Sequence, residues 1–150
     1  MPHSFISNLV HYVFSTKGRR KLISSDLEER LWPYMAAIAH ENHIKTLSIG
    51  GTEDHVHLLL SLPGTIAVSK AVQLIKGSSS KWVHDEFRKH QDFAWQEGYG
   101  AFSIGMSQTD QTVQYIRTQK EHHQKKTFQE ELLAILKKHG IEYDDRYIWD

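Results

Sequence analysis

The chain has 150 residues, 39% hydrophobic and 24% charged, the composition of an ordinary globular protein whose single core spans residues 1–150 rather than two domains. No apolar run approaches the roughly 20 residues that cross a bilayer, which excludes a membrane span, and the absence of cysteine excludes disulfides and thiolate metal sites. Lys and Arg number 18 against 18 Asp and Glu, giving zero net charge and a pI near 7.2, so no whole-molecule field draws in nucleic acid and any such binding must be local.

The opening "MPHSFISNLVHYVF" carries no charged leader and is broken by Asn8 and His11. It reads as the approach to a first strand rather than a signal peptide, and a cytoplasmic protein is expected. "NLVHYVFST" (8–16) is β-branched and aromatic and ends at the turn-like "KGRR", which predicts a strand. "SSDLEERLWPYMAAIAHENH" offers a capping box from Ser25 to Glu28 and apolar residues at Leu27, Leu31, Met35 and Ile38, the pattern of a helix with Pro33 as a blemish. "IKTLSIGG" and "HVHLLLSL" flank "GGTED" and predict an antiparallel hairpin, closed by Pro63-Gly64.

"TIAVSKAVQLIKGSSSKWVHDEFRKH" has helical spacing at Ile66, Val68, Ala71, Val72 and Ile75, interrupted by "GSSS". "FAWQEGYGAFSIG" reads as a glycine-punctuated strand or strand pair. "TDQTVQYIRTQKEHH" predicts a polar helix, and the capping box Thr127 to Glu130 starts another that Gly140 closes. The tail "IEYDDRYIWD" has enough aromatic surface to dock on the body. The order β-α-β-β-α-β followed by helices is the α+β, ferredoxin-like arrangement of an antiparallel sheet with helices on one face.

On a strand, His55 and His57 project to the same side about 7 Å apart, while Val56, Leu58 and Leu60 take the helix-covered face. That leaves the two imidazoles on an open face, close enough to share a cation. H-x-H alone also describes two hydrogen-bonded or surface histidines. The polar helix narrows the reading: Tyr115 has Gln119, His122 and Lys126 within about 40° of it, and Val113 and Ile116 sit roughly 100° to 160° away. Tyr115 is therefore off the apolar face, one turn from a carboxamide. A phenol, with a pKa of about 10, is a plausible nucleophile when a metal neutralises the phosphoryl group it attacks. His55, His57 and Gln119 supply three ligands for that metal.

"DHVHLLLSLP", "WQEGYGAFSIG" and "YIRTQKEHHQKKTFQEELLAILKKHGIEYDDRYIW", in this order, resemble the single-tyrosine HUH transposases, the small insertion-sequence enzymes and their REP-associated relatives. The resemblance covers essentially the whole chain. It implies a metal-dependent nuclease and strand transferase acting on single-stranded DNA with hairpins. His55 and His57 match the HUH histidines, Tyr115 the nucleophile that forms a 5′-phosphotyrosine, and Gln119 the metal-binding residue one turn later. It implies magnesium as cofactor, and since two imidazoles and an amide make a softer site than Mg²⁺ prefers, Mn²⁺ is expected to serve at least as well. Part of the family exchanges the tyrosine helix in a homodimer, and with only Val113 and Ile116 as apolar anchors this helix suits such an exchange.

Basic residues cluster at Lys17, Arg19, Arg20 and Lys21, at Lys76 and Lys81, and at Lys120, Lys125 and Lys126. Lys17, Arg19, Arg20, Lys76, Ser79 and Lys81 are the candidates for contacts to the DNA backbone. Two other functions fit parts of the pattern. One is a non-catalytic nucleic-acid module stacking bases on the "YGAF" aromatics. The other is a metal-dependent hydrolase using water, with Tyr115 structural. A covalent protein–DNA adduct separates the transposase from both.

Overall fold

Strand β1 (Leu9–Ser15) is buried along its full length, which fits a central strand whose two faces both meet protein. In the computed structural model, which describes residues 3–149, it pairs antiparallel with β3 (His55–Ser61) on one side and β4 (Gly100–Ile104) on the other. β2 (Lys45–Gly51) pairs antiparallel with β3 across a bulge between Thr46 and Ser48, completing the order β2-β3-β1-β4 of a ferredoxin-like sheet. Met1, Pro2 and Asp150, the outer ends of the opening stretch and the tail, lie outside the described residues. No helix among the described residues is long and apolar enough to cross a membrane.

One face of the sheet carries helices α1 (Ser25–Glu41) and α2 (Val68–Glu86). Leu27, Leu31, Met35 and Ile38 of α1 bury against Tyr12, Phe14, Val56, Leu58 and Leu60, as the spacing predicts. The helix is capped by Ser24, whose hydroxyl accepts from the amide of Leu27, one residue before the expected Ser25. Pro33 lies inside α1, which runs on to Glu41. α2 also continues where a break was expected, through "GSSS". Ile75, Ser79 and Val83 hold one buried stripe, and Ser79 satisfies its hydroxyl by donating to the Lys76 carbonyl and accepting from Trp95 Nε1. The "FAWQEGYGAFSIG" segment supplies one strand, β4, and an isolated bridge from Trp95 to Thr16.

The opposite face was expected to be open. It is covered by α3 (Thr109–Arg117), α4 (Gln119–His122) and α5 (Phe128–Lys138). Phe128, Leu132 and Leu136 of α5 pack with Val13 and Phe102 in a second core, which Ile148 and Trp149 of the tail join. The predicted single polar helix is two, divided at Thr118, whose hydroxyl donates back to the Gln114 carbonyl, a bond that competes with the helical ladder. The α5 limits agree with expectation: Thr127 and Glu130 form the capping box, and Gly140 sits at φ 64 just beyond the last turn.

α3 lies on β2 at Gly50. A Cβ there would collide with the Ile116 carbonyl oxygen and come within 3.1 Å of its Cγ2. Because backbone must move to relieve the collision, Gly50→Ala is expected to cost about 1–3 kcal/mol in chemical denaturation. It should also displace α3 and the Tyr115 it carries, and an unchanged stability would show that this close approach is unimportant.

Candidate active site

The alternation of β3 places His55 and His57 on the face covered by α3–α5, opposite Val56 and Leu58. Both are 0% exposed. Each imidazole is held from behind. His55 Nδ1 lies 2.8 Å from Asp54 Oδ1 and 2.9 Å from the Thr52 hydroxyl, which itself donates to Asp54. Burial raises the Asp54 pKa, but the hydrogen bonds from His55 and Thr52 outweigh it and hold the carboxyl below its usual range. An ionised Asp54 fixes the tautomer that carries a proton on Nδ1, which turns Nε2 toward the interior.

His57 Nδ1 is 2.8 Å from Nε2 of His11, a buried residue on the same face of β1. Burial, and next the adjacent His57, push the His11 pKa down to about 3, so it stays a neutral ring able to donate or accept.

The two Nε2 atoms point at side chains from two helices. Gln119 opens α4, is 1% exposed, and presents Oε1 2.9 Å from His55 Nε2, while its amide nitrogen donates to the Tyr115 carbonyl. Glu131, from α5, receives His57 Nε2 at 2.8 Å and lies 3.5 Å from His55 Nε2. Its other oxygen accepts the Tyr115 hydroxyl and sits 3.1 Å from His123 Nε2. Burial raises the Glu131 pKa, yet His123 at ion-pair distance and the hydrogen bonds from His57 and Tyr115 hold it far below the carboxylate range. Burial lowers the His57 pKa more than Glu131 raises it, so this pair is a neutral imidazole donating to a carboxylate. For His123 the balance is reversed: burial lowers its pKa and Glu131 more than restores it. Tyr115 is held in its protonated form, first by burial and then by the charge of Glu131.

The donor set fits a divalent cation. One atom each from His55, His57, His123 and Glu131 lies within 4.8 Å of all the others. His123 Nε2 is buried and, despite its ion-pair distance to Glu131, has no hydrogen bond of acceptable geometry, an orphaned nitrogen whose lone pair, once unprotonated, a cation would take up. Imidazole nitrogens and a carboxylate suit zinc, manganese or cobalt better than magnesium.

All four residues singled out as catalytic or metal-binding thus converge, within one chain. The Tyr115 ring centroid is 5.7 Å from that of His57 and 6.4 Å from that of His11, and His122 stacks on Tyr115 at 4.8 Å. The expectations missed Glu131, His123, His11 and Asp54. Glu131 left a signal: it falls between Phe128 and Leu132 on the apolar stripe of α5, where a carboxylate is expensive unless partnered.

The candidates for backbone contacts separate. Arg19 lines a cavity of about 710 Å³ with Lys21, Lys120, Lys125, Lys126 and His123, and its guanidinium lies 5.3 Å from the Trp149 ring. Lys17 and Arg20 are exposed nearby, Arg20 paired with Asp92 at 3.2 Å. α2 carries the other three across the sheet. Lys76 donates to the carbonyls of Gln96, Glu97 and Gly98, and burial lowers its pKa to about 8. Ser79 is fully buried, and Lys81 pairs with Asp85 at 2.8 Å. In this arrangement the Ser79 hydroxyl is buried and the Lys76 ammonium is taken up by three carbonyls.

A second cavity, of about 270 Å³, opens on the tyrosine side between His11, Gln111, Tyr115, Glu131, Lys138 and His139.

Residues 5–119 match the family described as transposase IS200 like. The chain is 26% identical over 117 residues to the transposase of insertion sequence IS200 from Salmonella typhimurium, covering 74% of this chain and 76% of that one. It is 23% identical over 114 residues to the ISDra2 transposase TnpA of Deinococcus radiodurans, covering 73% and 81%. In fold it is similar to a crystal structure from D. radiodurans described as a transposase, with TM-score 0.63, 21% identity and 79% and 96% of the two chains covered. It is also similar to a REP-associated tyrosine transposase bound to a REP hairpin, with TM-score 0.61, 16% identity and 82% and 73% covered.

Proposed function

The chain belongs to the IS200-like transposase family, and from that premise we propose that it cleaves and rejoins single-stranded DNA through a covalent link to Tyr115, with hairpin-bearing DNA as substrate and a divalent metal as cofactor. The observation that carries this reading is the meeting of four residues from two distant stretches: His55 with Gln119 at 2.9 Å, and Tyr115 beside His57. A module that only binds nucleic acid needs no such assembly. That a similar fold binds a REP hairpin supports the choice of substrate.

His55, His57 and Gln119 would hold the cation, which when bound neutralises charge on the scissile phosphate. Asp54 and His11 orient the two imidazoles. Tyr115 Oη attacks phosphorus; the new bond to tyrosine forms as the bond to the 3′-oxygen breaks, leaving a 5′-phosphotyrosine and, once protonated by solvent, a free 3′-OH. The ester linkage keeps the energy of the broken bond, so a different 3′-OH can displace Tyr115 and seal DNA without a nucleotide cofactor. In the resting site the Tyr115 hydroxyl donates to Glu131, a carboxylate too weak a base to take its proton, so attack requires the phenol to leave that partner and to lose its proton to solvent as the bond to phosphorus forms. Mn²⁺ should support the reaction at least as well as Mg²⁺ because of the nitrogen ligands. The decisive experiment incubates the protein with single strands flanking its own gene and either metal, and seeks a nucleotide on tyrosine by mass spectrometry; its absence under all conditions would leave the binding-module reading.

The basic cavity beside His123 supplies a path for the phosphate backbone, through Arg19, Lys21, Lys125 and Lys126. Lys125→Glu with Lys126→Glu should weaken single-strand binding regardless of sequence. The slope of log K against log salt should become shallower by about 0.7 for each phosphate that is no longer neutralised. Lys81→Glu, across the sheet, should leave both unchanged. The reverse result in fluorescence anisotropy would move the strand to the α2 face.

A further inference from the structure

Glu131 enters the mechanism above only as the resting partner of Tyr115 and His123 not at all, yet the two complete a cage around the histidines that it uses. A tetrahedral cation with bonds of about 2.0–2.1 Å to nitrogen separates its ligand atoms by about 3.3 Å. Glu131 Oε1 stands 2.8 Å from His57 Nε2 and 3.5 Å from His55 Nε2, Oε2 stands 3.1 Å from His123 Nε2, and one ligand atom from each of the four residues lies within 4.8 Å of the others, so a modest contraction brings the four to a shared cation. The cage is also stiff. Asp54 and Thr52 fix His55, and His11 fixes His57. Glu131 is 3% exposed and is delivered by a helix whose Phe128, Leu132 and Leu136 are buried in the second core.

We propose that His55, His57, His123 and Glu131 form a second, closed metal site for a zinc-type cation, in which Glu131 and His123 replace Gln119. The proposal rests on the assignment of His55 and His57 as ligands. Three imidazoles and one carboxylate are the donors zinc favours, and four protein ligands leave no open position for a phosphate oxygen. The Tyr115 hydroxyl is bound to the same carboxylate, so the arrangement that shuts the metal also holds the nucleophile. The zinc-loaded protein is therefore a resting form, and the catalytic form requires Glu131 to leave the cluster, either by a change of its side-chain rotamer or by movement of α5.

The test uses the full chain and Co²⁺, whose visible absorption is intense in four-coordinate sites and weak in six-coordinate ones, together with calorimetric titration of Zn²⁺. Wild type should give the intense spectrum. Glu131→Gln, which keeps an acceptor for Tyr115, and His123→Ala, at a partly exposed position, should each lose most of that intensity and weaken Zn²⁺ binding at least about tenfold. Gln119→Ala should keep the spectrum, and His57→Ala should abolish binding. If His57→Ala abolishes binding while Glu131→Gln and His123→Ala both match wild type in spectrum and affinity, the closed site is wrong and the Gln119 set stands. If wild type binds neither ion, the closed site and the metal reading of the two histidines fall together.

Discussion

Tyr115→Phe is expected to abolish both the covalent protein–DNA adduct and strand cleavage while hairpin binding stays within a few-fold of wild type. The substitution removes one oxygen and little else. The ring keeps its stack on His122 and its edge contact with His57, and the neighbouring Ile116 still anchors α3 by full burial. Glu131 loses one donor but retains the hydrogen bond from His57 and the nearby His123 at 3.1 Å, so the expected loss of stability is about 1–3 kcal/mol, the cost of leaving a buried group without one of its hydrogen-bond partners. Such a loss does not unfold a domain of ordinary stability. Any fall in cleavage beyond that measured for binding then belongs to the missing nucleophile. The measurement is peptide mapping of the protein after incubation with single-stranded DNA and Mn²⁺. A nucleotide attached to another tyrosine, such as the partly exposed Tyr99, would transfer the nucleophile there.

The elements that were legible are those in which local pattern and tertiary environment agree. Alternation in "HVHLLLSL" told the Val56, Leu58, Leu60 face from the His55, His57 face correctly, because a strand has only two faces and the apolar set must take the core. Helical spacing at Leu27, Leu31, Met35 and Ile38 located α1 in spite of Pro33. What failed was inference about what lies on the histidine side. Polar groups looked like exposure, whereas β3 is buried on both faces and its histidines meet side chains from distant helices. Nothing local in "TDQTVQYIRTQKEHH" marks the break at Thr118, since a threonine bonding back to a carbonyl is compatible with a helix or its end. His11 and Glu131 could have been suspected on a simple ground: each is a titratable residue in the middle of an apolar stripe, and such a residue needs a buried partner. Of the six candidates for backbone contacts, Lys76 and Ser79 show why charge and polarity alone do not locate a surface. The Lys76 ammonium closes the 96–98 loop by donating to its carbonyls, and the Ser79 hydroxyl receives the indole of Trp95.

His57→Ala should remove metal binding and activity together, and it also decides how many chains make a site. His57 is fully buried between His11, Glu131 and the Tyr115 ring, and no neighbour replaces its Nε2. Calorimetry with Mn²⁺ should show affinity lower by at least about tenfold, and cleavage should not return at saturating metal if the remaining ligands cannot orient the phosphate. The expectation of an exchanged tyrosine helix predicts that mixing this variant with Tyr115→Phe restores some cleavage, because a heterodimer would then contain one site with both intact parts. Within one chain the same groups also meet. Tyr115 reaches Glu131 of its own chain, which holds its own His57, and Gln119 reaches its own His55. The close seat of Ile116 on Gly50 gives α3 a firm anchor that its short apolar face does not reveal. In a site built this way, one variant chain has no nucleophile and the other no metal, so no pairing of the two contains a complete site. A mixture that stays inactive although the chains associate would show that sites form in cis. Recovery of cleavage on mixing, with each variant inactive alone, would require that α3 cross between subunits.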